Sequence, residues 1–295
     1  IKGNEFDGES GANFNTINIG QAGNLQLADN WFHDNVYTSA QVGIINGSIT
    51  GNLFEKTYPL ATYGSRAIEL WGGLWGTPVS TNVTVTGNTF FYNDLTGFDD
   101  PSHGFRLTRP ADGETGIDAS TIHLECNNFY DGGARTDAYA ILHEADQTTS
   151  VDADSNYWGS AMPDFTGKFN GPVTYLPFNT DDTCGTPVYP PVHNITQDTY
   201  FFEIQPAIDA AVDGDTIEVS PGTYEEKLTI NVPNLTIQST DGAAATIIDV
   251  PDGTLTTGVL IDGTGLGKIT FDGFTVKNFT ENGIVQGMSS HDGTT

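Results

Sequence analysis

VTGNTF, residues 85–90, is an alternating stretch that ends on an asparagine, one free residue and an aromatic. The same phrase recurs as IKGNEF (1–6), LADNWF (27–32), ITGNLF (49–54), LECNNF (124–129) and ADSNYW (153–158). Measured between first residues, the six copies are spaced by 26, 22, 36, 39 and 29 residues. A shorter apolar phrase sits between them, as NTINIG (15–20), VGIING (42–47), RAIELWG (66–72), HGFRLTR (103–109) and YAILHEA (139–145). Several short strands per repeat, at this spacing, mark a solenoid in which each repeat is one rung and neighbouring rungs pair in parallel. A β-sandwich with chance turn similarity does not account for six occurrences in register.

The phrase assigns roles to particular residues. Asn4, Asn30, Asn52, Asn88, Asn127 and Asn156 are expected at the rung corners, where asparagine tolerates left-handed backbone and its amide can bond the same asparagine one rung away. Phe6, Phe32, Phe54, Phe90, Phe129 and Trp158 are expected to turn inward and stack from rung to rung. The two longest intervals read as rungs carrying inserted loops near 71–81 and 91–104.

Composition agrees with short strands and many turns. Glycine numbers 35 of 295 residues, and Thr, Asn and Asp are abundant where Leu and Lys are scarce. Lys and Arg total 10 against 38 Asp and Glu, a formal net charge of −28. So acidic a chain lacks the basic patch that displaces counterions from nucleic acid, and it is repelled by anionic membranes. The charge suits either solubility in a salty extracellular medium or the capture of calcium on carboxylate oxygens. No apolar run approaches the ~20 residues that span a bilayer. Cys126 and Cys184 are either one disulfide or two buried thiols.

Here the rungs become recognisable. The Asn-x-aromatic repeats resemble right-handed parallel β-helix proteins of the pectin-lyase-like superfamily. SNYWGSAMPDFTGKFNGPVTYLPF (155–178) looks like the segment that closes such helices in large secreted microbial surface proteins. Beyond it, NTDDTCGTPVYPPVHN (179–194) is rich in Pro and turn residues and reads as part of a linker over 179–198. Then EIQPAIDAAVDGDTIEVSPGTYEEKLTI (203–230) opens with Ile204, Ala207, Ile208, Ala211 and Val212 at helical spacing, stopped by Gly214. This resembles the N-terminal cap of the same superfamily: a short amphipathic helix near 203–213 that plugs the open end, followed by a first strand TIEV (216–219). NLTIQS (234–239), TIIDV (246–250), GVLID (258–262) and KITFDGFTV (268–276) read as further rungs. The expected organisation is therefore all-β. Residues 1–178 are the back half of one β-helix, 179–198 a linker, and 199–295 a cap with the front half of the next.

A copy of residue 1 placed after residue 295 continues the alternation. The step from Phe271 to that Ile1 is 25 residues, within the compact-rung range, and GIVQG (283–287) supplies the second phrase. The expectation that follows is an extracellular structural repeat, part of a filament, sheath or giant adhesin. Its partners would be copies of itself, joined head to tail either covalently or by stacking.

The resemblance also implies an alternative, a secreted polysaccharide lyase, esterase or glycan-binding module. Its best local candidates lie in DDPSHGFRLTR (99–109), with Asp99, Asp100, His103, Arg106 and Arg109, weighed against an inserted loop with internal salt links. The tripeptide QDT (197–199) resembles a motif of pectin methylesterase-like enzymes but falls in the expected linker. Trp71 and Trp75, in WGGLWGTP, could stack on a sugar face or pack as a lid on the solenoid flank. Asn46, Asn82, Asn194, Asn234 and Asn278 open N-glycosylation sequons, with Asn194 expected to be the most accessible. No cofactor is required, and the histidines show no metal-ligand spacing. Calcium on acidic turns such as DGDT (213–216) or VDADSN (151–156) stays open, although neither has EF-hand spacing.

Overall fold

A computed structural model of the chain describes residues 1–8, 15–59, 64–71, 79–93, 101–108, 117–145, 148–251 and 256–287. The chain divides into two compact units, Ile1–Val188 and Tyr189–Thr295. Both are built from short strands, with a single α-helix among the described residues. The architecture is an all-β, solenoid-like winding of parallel rungs.

In the first unit, the Asn-x-aromatic phrases supply a five-stranded parallel sheet of Glu5–Asp7, Trp31–His33, Leu53–Phe54, Thr89–Tyr92 and Asn128–Asp131. Phe6 pairs with Phe32, Phe54 with Phe90, and Phe90 with Phe129 in direct register. Identical registers place identical rings above one another. Ring centroids are 4.7 Å apart for Phe6–Phe32, 4.8 Å for Phe32–Phe54, 5.2 Å for Phe54–Phe90, 4.7 Å for Phe90–Phe129 and 4.8 Å for Phe129–Trp158. Phe165, Phe169, Tyr175 and Phe178 gather beyond Trp158 and continue the aromatic core into the segment that follows the last rung. The shorter apolar phrases and the strands leading into each asparagine form the remaining faces. There the long strand Thr38–Thr50 pairs with Ser65–Leu70 through its first half and with Thr81–Thr86 through its second.

The corner asparagines form a continuous ladder. Backbone N–H and Nδ2–H of Asn30 both donate to Oδ1 of Asn52, at 3.0 and 2.9 Å. Asn52 donates in the same way to Asn88, Asn88 to Asn127, Asn127 to Asn156, and Asn4 to Asn30. The left-handed backbone, expected on these asparagines, lies one residue earlier. Gly3, Asp29, Gly51, Gly87, Cys126 and Ser155 carry φ values of 69, 52, 63, 65, 55 and 56°. The preceding residue makes the corner, and the asparagine that follows it aims its amide along the stack.

The second unit stacks three parallel columns. Thr216–Val219, Thr236–Ser239 and Thr270–Asp272 form one; Gly222–Tyr224, Thr246–Asp249 and Thr275–Lys277 the second; Leu228–Ile230, Thr257–Asp262 and Asn282–Gly287 the third. Helix Ile204–Ala210 buries Ile204, Ala207 and Ile208 against Ile217, Leu228 and their neighbours. The expected apolar stripe runs two residues past the helix, which ends at Ala210, and Val212 is 58% exposed. Glu203 makes no side-chain cap. The helix start is held instead by the Glu226 carboxylate, which accepts the N–H groups of Ile204 and Gln205 at 2.8 and 2.7 Å.

The expected linker is not a free connector. Phe178 bridges to Val188 within the first unit, and Val192–Asn194 is a strand of the second, antiparallel to Thr199–Phe201 and Thr216–Val219. A three-residue strand among prolines carries no alternation long enough to register as periodic.

Replacing Asn88 by Ala removes the acceptor of two Asn52 donors and the donor of Ile49 and Thr86 carbonyls, all in a fully buried position. We expect a loss on the order of 3 kcal/mol, read by denaturant unfolding, because buried polar groups are left unpaired. Gly87→Ala, at φ 65°, is expected to lose about 1 kcal/mol by strain alone.

Candidate functional sites

The broad sheet of the first unit presents a row of polar side chains across successive rungs. Gln41, Glu69 and Arg106 are register partners. Gln41 accepts from Asn15 and Asn18 at 2.9 and 3.2 Å and donates to Glu69 at 3.1 Å. Glu69 Oε2 lies 3.2 Å from Arg66 Nε and 3.5 Å from Arg106 Nη1, while Arg106 Nη2 reaches Glu144 at 2.6 Å. The Arg66 guanidinium also sits over the Tyr37 ring, 4.7 Å from its centroid. Two guanidinium groups and two carboxylates thus neutralise one another in a largely buried row.

Ser102–Leu107 is a strand of this sheet, not part of an inserted loop, and the salt links of Arg106 run to other rungs rather than within its own segment. Asp99, Asp100 and Arg109, the other catalytic candidates, lie outside the described residues, as does Trp75. Arg106 is engaged by two carboxylates, Glu69 and Glu144. His103, the direct register partner of Arg66, accepts the Tyr139 backbone N–H on Nδ1 at 3.0 Å. Burial, reinforced by Arg66 and Arg106, pushes its pKa down to about 3. Trp71 is buried at 7% exposure, so its ring is not offered to a sugar in the manner of an exposed stacking platform.

Sequon accessibility differs from expectation. Asn194 is fully buried and donates to Asp215 at 2.9 Å, because it belongs to the short antiparallel strand. Asn46, Asn82, Asn234 and Asn278 are exposed and have φ values of 55, 52, 53 and 61°. Backbone geometry alone accounts for asparagine at these four turns. Asn82 also donates to Asn46 at 2.8 Å across one rung. Cys126 and Cys184 form a disulfide with Cα atoms 5.0 Å apart, tying the fifth ladder corner to the segment beyond the aromatic core.

The acidic turns are hydrogen-bonded internally. Asp215, nearly inaccessible, accepts from Asn194, Gln197 and the Val212 backbone, and its carboxyl is held below the ordinary range by these bonds against its burial. Gln197 of the QDT tripeptide therefore serves this turn. Asp152 pairs with His123 at 3.1 Å.

One cluster escaped the sequence reading. Asp7, His33 and Asp34 bring ligand-type atoms within 4.8 Å of one another. Asp34 Oδ2 is 2.9 Å from His33 Nδ1, which raises the imidazole pKa and lowers that of the carboxyl. Residues 7 and 33 have no local motif spacing; only the rung register sets them side by side.

Comparison with models of protein families, with curated proteins and with solved structures gives no match to the chain. The functional reading rests on the chain's own geometry.

Two outcomes follow from the buried row. Glu69→Ala leaves Arg66 and Arg106 facing each other without the shared carboxylate, and is expected to lower stability by about 3–5 kcal/mol in thermal or denaturant unfolding. His103 titrates near its ordinary 6.5 in the unfolded chain and near 3 in the folded one. Its contribution to stability is complete above pH 6.5 and is lost progressively as pH falls toward 3, at up to about 1.4 kcal/mol per unit. NMR of the ring nitrogens at pH 4.5 to 5 should find His103 neutral, and His103→Gln should flatten the stability profile over that interval.

Proposed function

We propose that this chain is a structural repeat of an extracellular filament, sheath or giant surface adhesin, with a right-handed parallel β-helix of pectin-lyase-like type that continues from one copy into the next. The observation that carries the reading is the direction of the asparagine ladder. From Asn4 to Asn127 each ladder asparagine donates two hydrogens to the next Oδ1, and at Asn4 no donor among the described residues reaches its own Oδ1. The strand Glu5–Asp7 pairs on one side only among the described residues, as do Thr270–Asp272, Thr275–Lys277 and Asn282–Gly287 in the second unit. Ile284, in the last of these, is 52% exposed. Such edges are templates for further strands, and an additional rung of the same kind satisfies both. Head-to-tail contacts that do not close into a ring generate filaments.

The disulfide and the acidic surface suit an oxidising, extracellular setting. Engagement of Arg106 by Glu69 and Glu144 lends no support to the lyase or esterase alternative.

The test is assembly. The full chain should form concentration-dependent end-to-end species in sedimentation velocity and electron microscopy. The paired changes Phe6→Asp and Ile284→Lys should abolish them while the isolated chain keeps its strand content. A fusion of two copies joined from residue 295 to residue 1 should melt above the single copy. A strictly monomeric chain whose fused dimer gains no stability would end the proposal.

A further inference from the structure

We propose that His33, Glu5, Asp7 and Asp34 form a proton-operated clasp, which fastens strand Glu5–Asp7 to strand Trp31–His33 while the imidazole is charged and loosens it when the proton leaves. The proposal stands apart from the assembly reading, since it concerns side chains within one rung pair.

The hydrogen-bond roles set the charge. His33 Nδ1 lies 2.9 Å from Asp34 Oδ2, and His33 Nε2 lies 3.1 Å from Glu5 Oε1. An ionised carboxylate only accepts, and a neutral imidazole has a single N–H to give. Satisfying both contacts therefore takes the imidazolium, which leaves no ring nitrogen for a metal ion. Asp7 Oδ1 stands 3.9 Å from Nδ1, so three carboxylates surround one cation. Two of them, Glu5 and Asp7, belong to the outer strand, where Asp7 is directly opposite His33. The His33 side chain is only 10% exposed and its ring lies 4.0 Å from that of Trp31.

The next rung acts on the carboxylate side of the cluster. The Tyr58 hydroxyl donates to Asp34 Oδ1 at 3.2 Å, the charge of Lys56 also favours the Asp34 carboxylate, and Glu55 is drawn off to Trp31 Nε1 at 3.0 Å. Loss of the imidazolium proton turns one charge-assisted bond into a lone pair facing a carboxylate, and leaves Glu5, Asp7 and Asp34 crowded without their cation. The Asp34 bond foremost, with Glu5 and Asp7, raises the His33 pKa above 6.5 against the effect of burial. A group whose pKa is raised on folding contributes stability that is complete below its unfolded value and is lost as pH rises through the folded one. The clasp is accordingly closed at mildly acidic pH up to 6.5 and opens on the alkaline side. Among the described residues the strand it fastens is the open edge of its sheet, so pH sets how firmly that edge is held.

Hydrogen exchange of the full chain, corrected for the intrinsic pH dependence of exchange, reads the clasp at the Gly8 amide, which donates to the His33 carbonyl at 3.1 Å. Between about pH 6 and about pH 9 its protection is expected to fall roughly tenfold, as one charge-assisted bond is lost. The Leu53 amide, bonded to the Asn30 carbonyl one rung further in, is expected to keep its protection. His33→Gln should abolish most of the fall; a small remainder belongs to the Ile1 amino group, which donates to the Gln26 carbonyl on the same rung. His123→Gln, whose ring faces Asp152 alone among these carboxylates, should leave the fall unchanged. NMR should find both His33 ring nitrogens protonated at pH 6.5. Glu5→Gln, at a side chain 60% exposed, should move that titration downward, and it carries the test if His33→Gln folds poorly. A His33 half-titrated at or below pH 6.5, a titration unmoved in Glu5→Gln, or a pH response undiminished in His33→Gln overturns the proposal.

Discussion

The two hydrogen bonds that each ladder asparagine from Asn4 to Asn127 makes to the next amide oxygen organise the first unit. They place backbone N–H and side-chain Nδ2–H of one residue on a single Oδ1, about 3 Å away, in positions that exclude water from Asn30 through Asn156. A buried amide left unpaired is costly, so each rung is held in register with the next at this one corner. Register elsewhere is then free to accommodate length. Successive ladder asparagines are 26, 22, 36, 39 and 29 residues apart, yet their contact distances scarcely differ. The aromatic two positions on inherits the alignment, which is why five successive ring contacts fall between 4.7 and 5.2 Å.

This arrangement lets the fold carry its charge. With 38 acidic residues against 10 basic ones, electrostatic self-repulsion opposes a compact state. The groups that fix the winding are neutral: amides, aromatic rings and backbone ladders. The cations are placed where they neutralise particular carboxylates. Arg66 and Arg106 serve Glu69 and Glu144 in the buried row, while Lys168 and Lys277 reach Asp131 and Asp249. Acidity therefore resides on the surface, where solvent and salt screen it.

What the sequence made legible was whatever repeats. The six phrases located the strands, the ladder and the aromatic stack because the same residue types return at the same position. It misplaced the left-handed corner by one residue. Gly, Asp, Cys and Ser all occupy that position, so nothing constant marks it, whereas the constant Asn beside it drew the assignment. Asn194 was misjudged because prolines around it suggested exposure, and three residues of strand cannot show alternation. The cluster of Asp7 and His33 was invisible for a different reason. Metal-ligand motifs are recognised by local spacing, and here the distance is set by the length of one rung.

The two units solve the same packing problem with different side chains. The first stacks aromatic rings; the second aligns mostly aliphatic residues, as in Leu228–Val259–Ile284 and in Ile217–Ile237, whose next partner is Phe271. In both, burial depends on having a neighbour on each side. Phe32, Phe54 and Phe90 are fully buried, whereas Phe6, with one stacked partner among the described residues, is only half-buried. Ile217 and Ile237 are likewise buried, while Phe271 is only partly buried. Completing the burial of a large apolar side chain contributes up to about 1.5–3 kcal/mol, and adding a rung also supplies a ladder of backbone partners. Stability in such a winding accrues rung by rung through nearest-neighbour contacts. Phe6 and Ile284 are consequently held less firmly than Phe54 and Val259, which are covered from both sides.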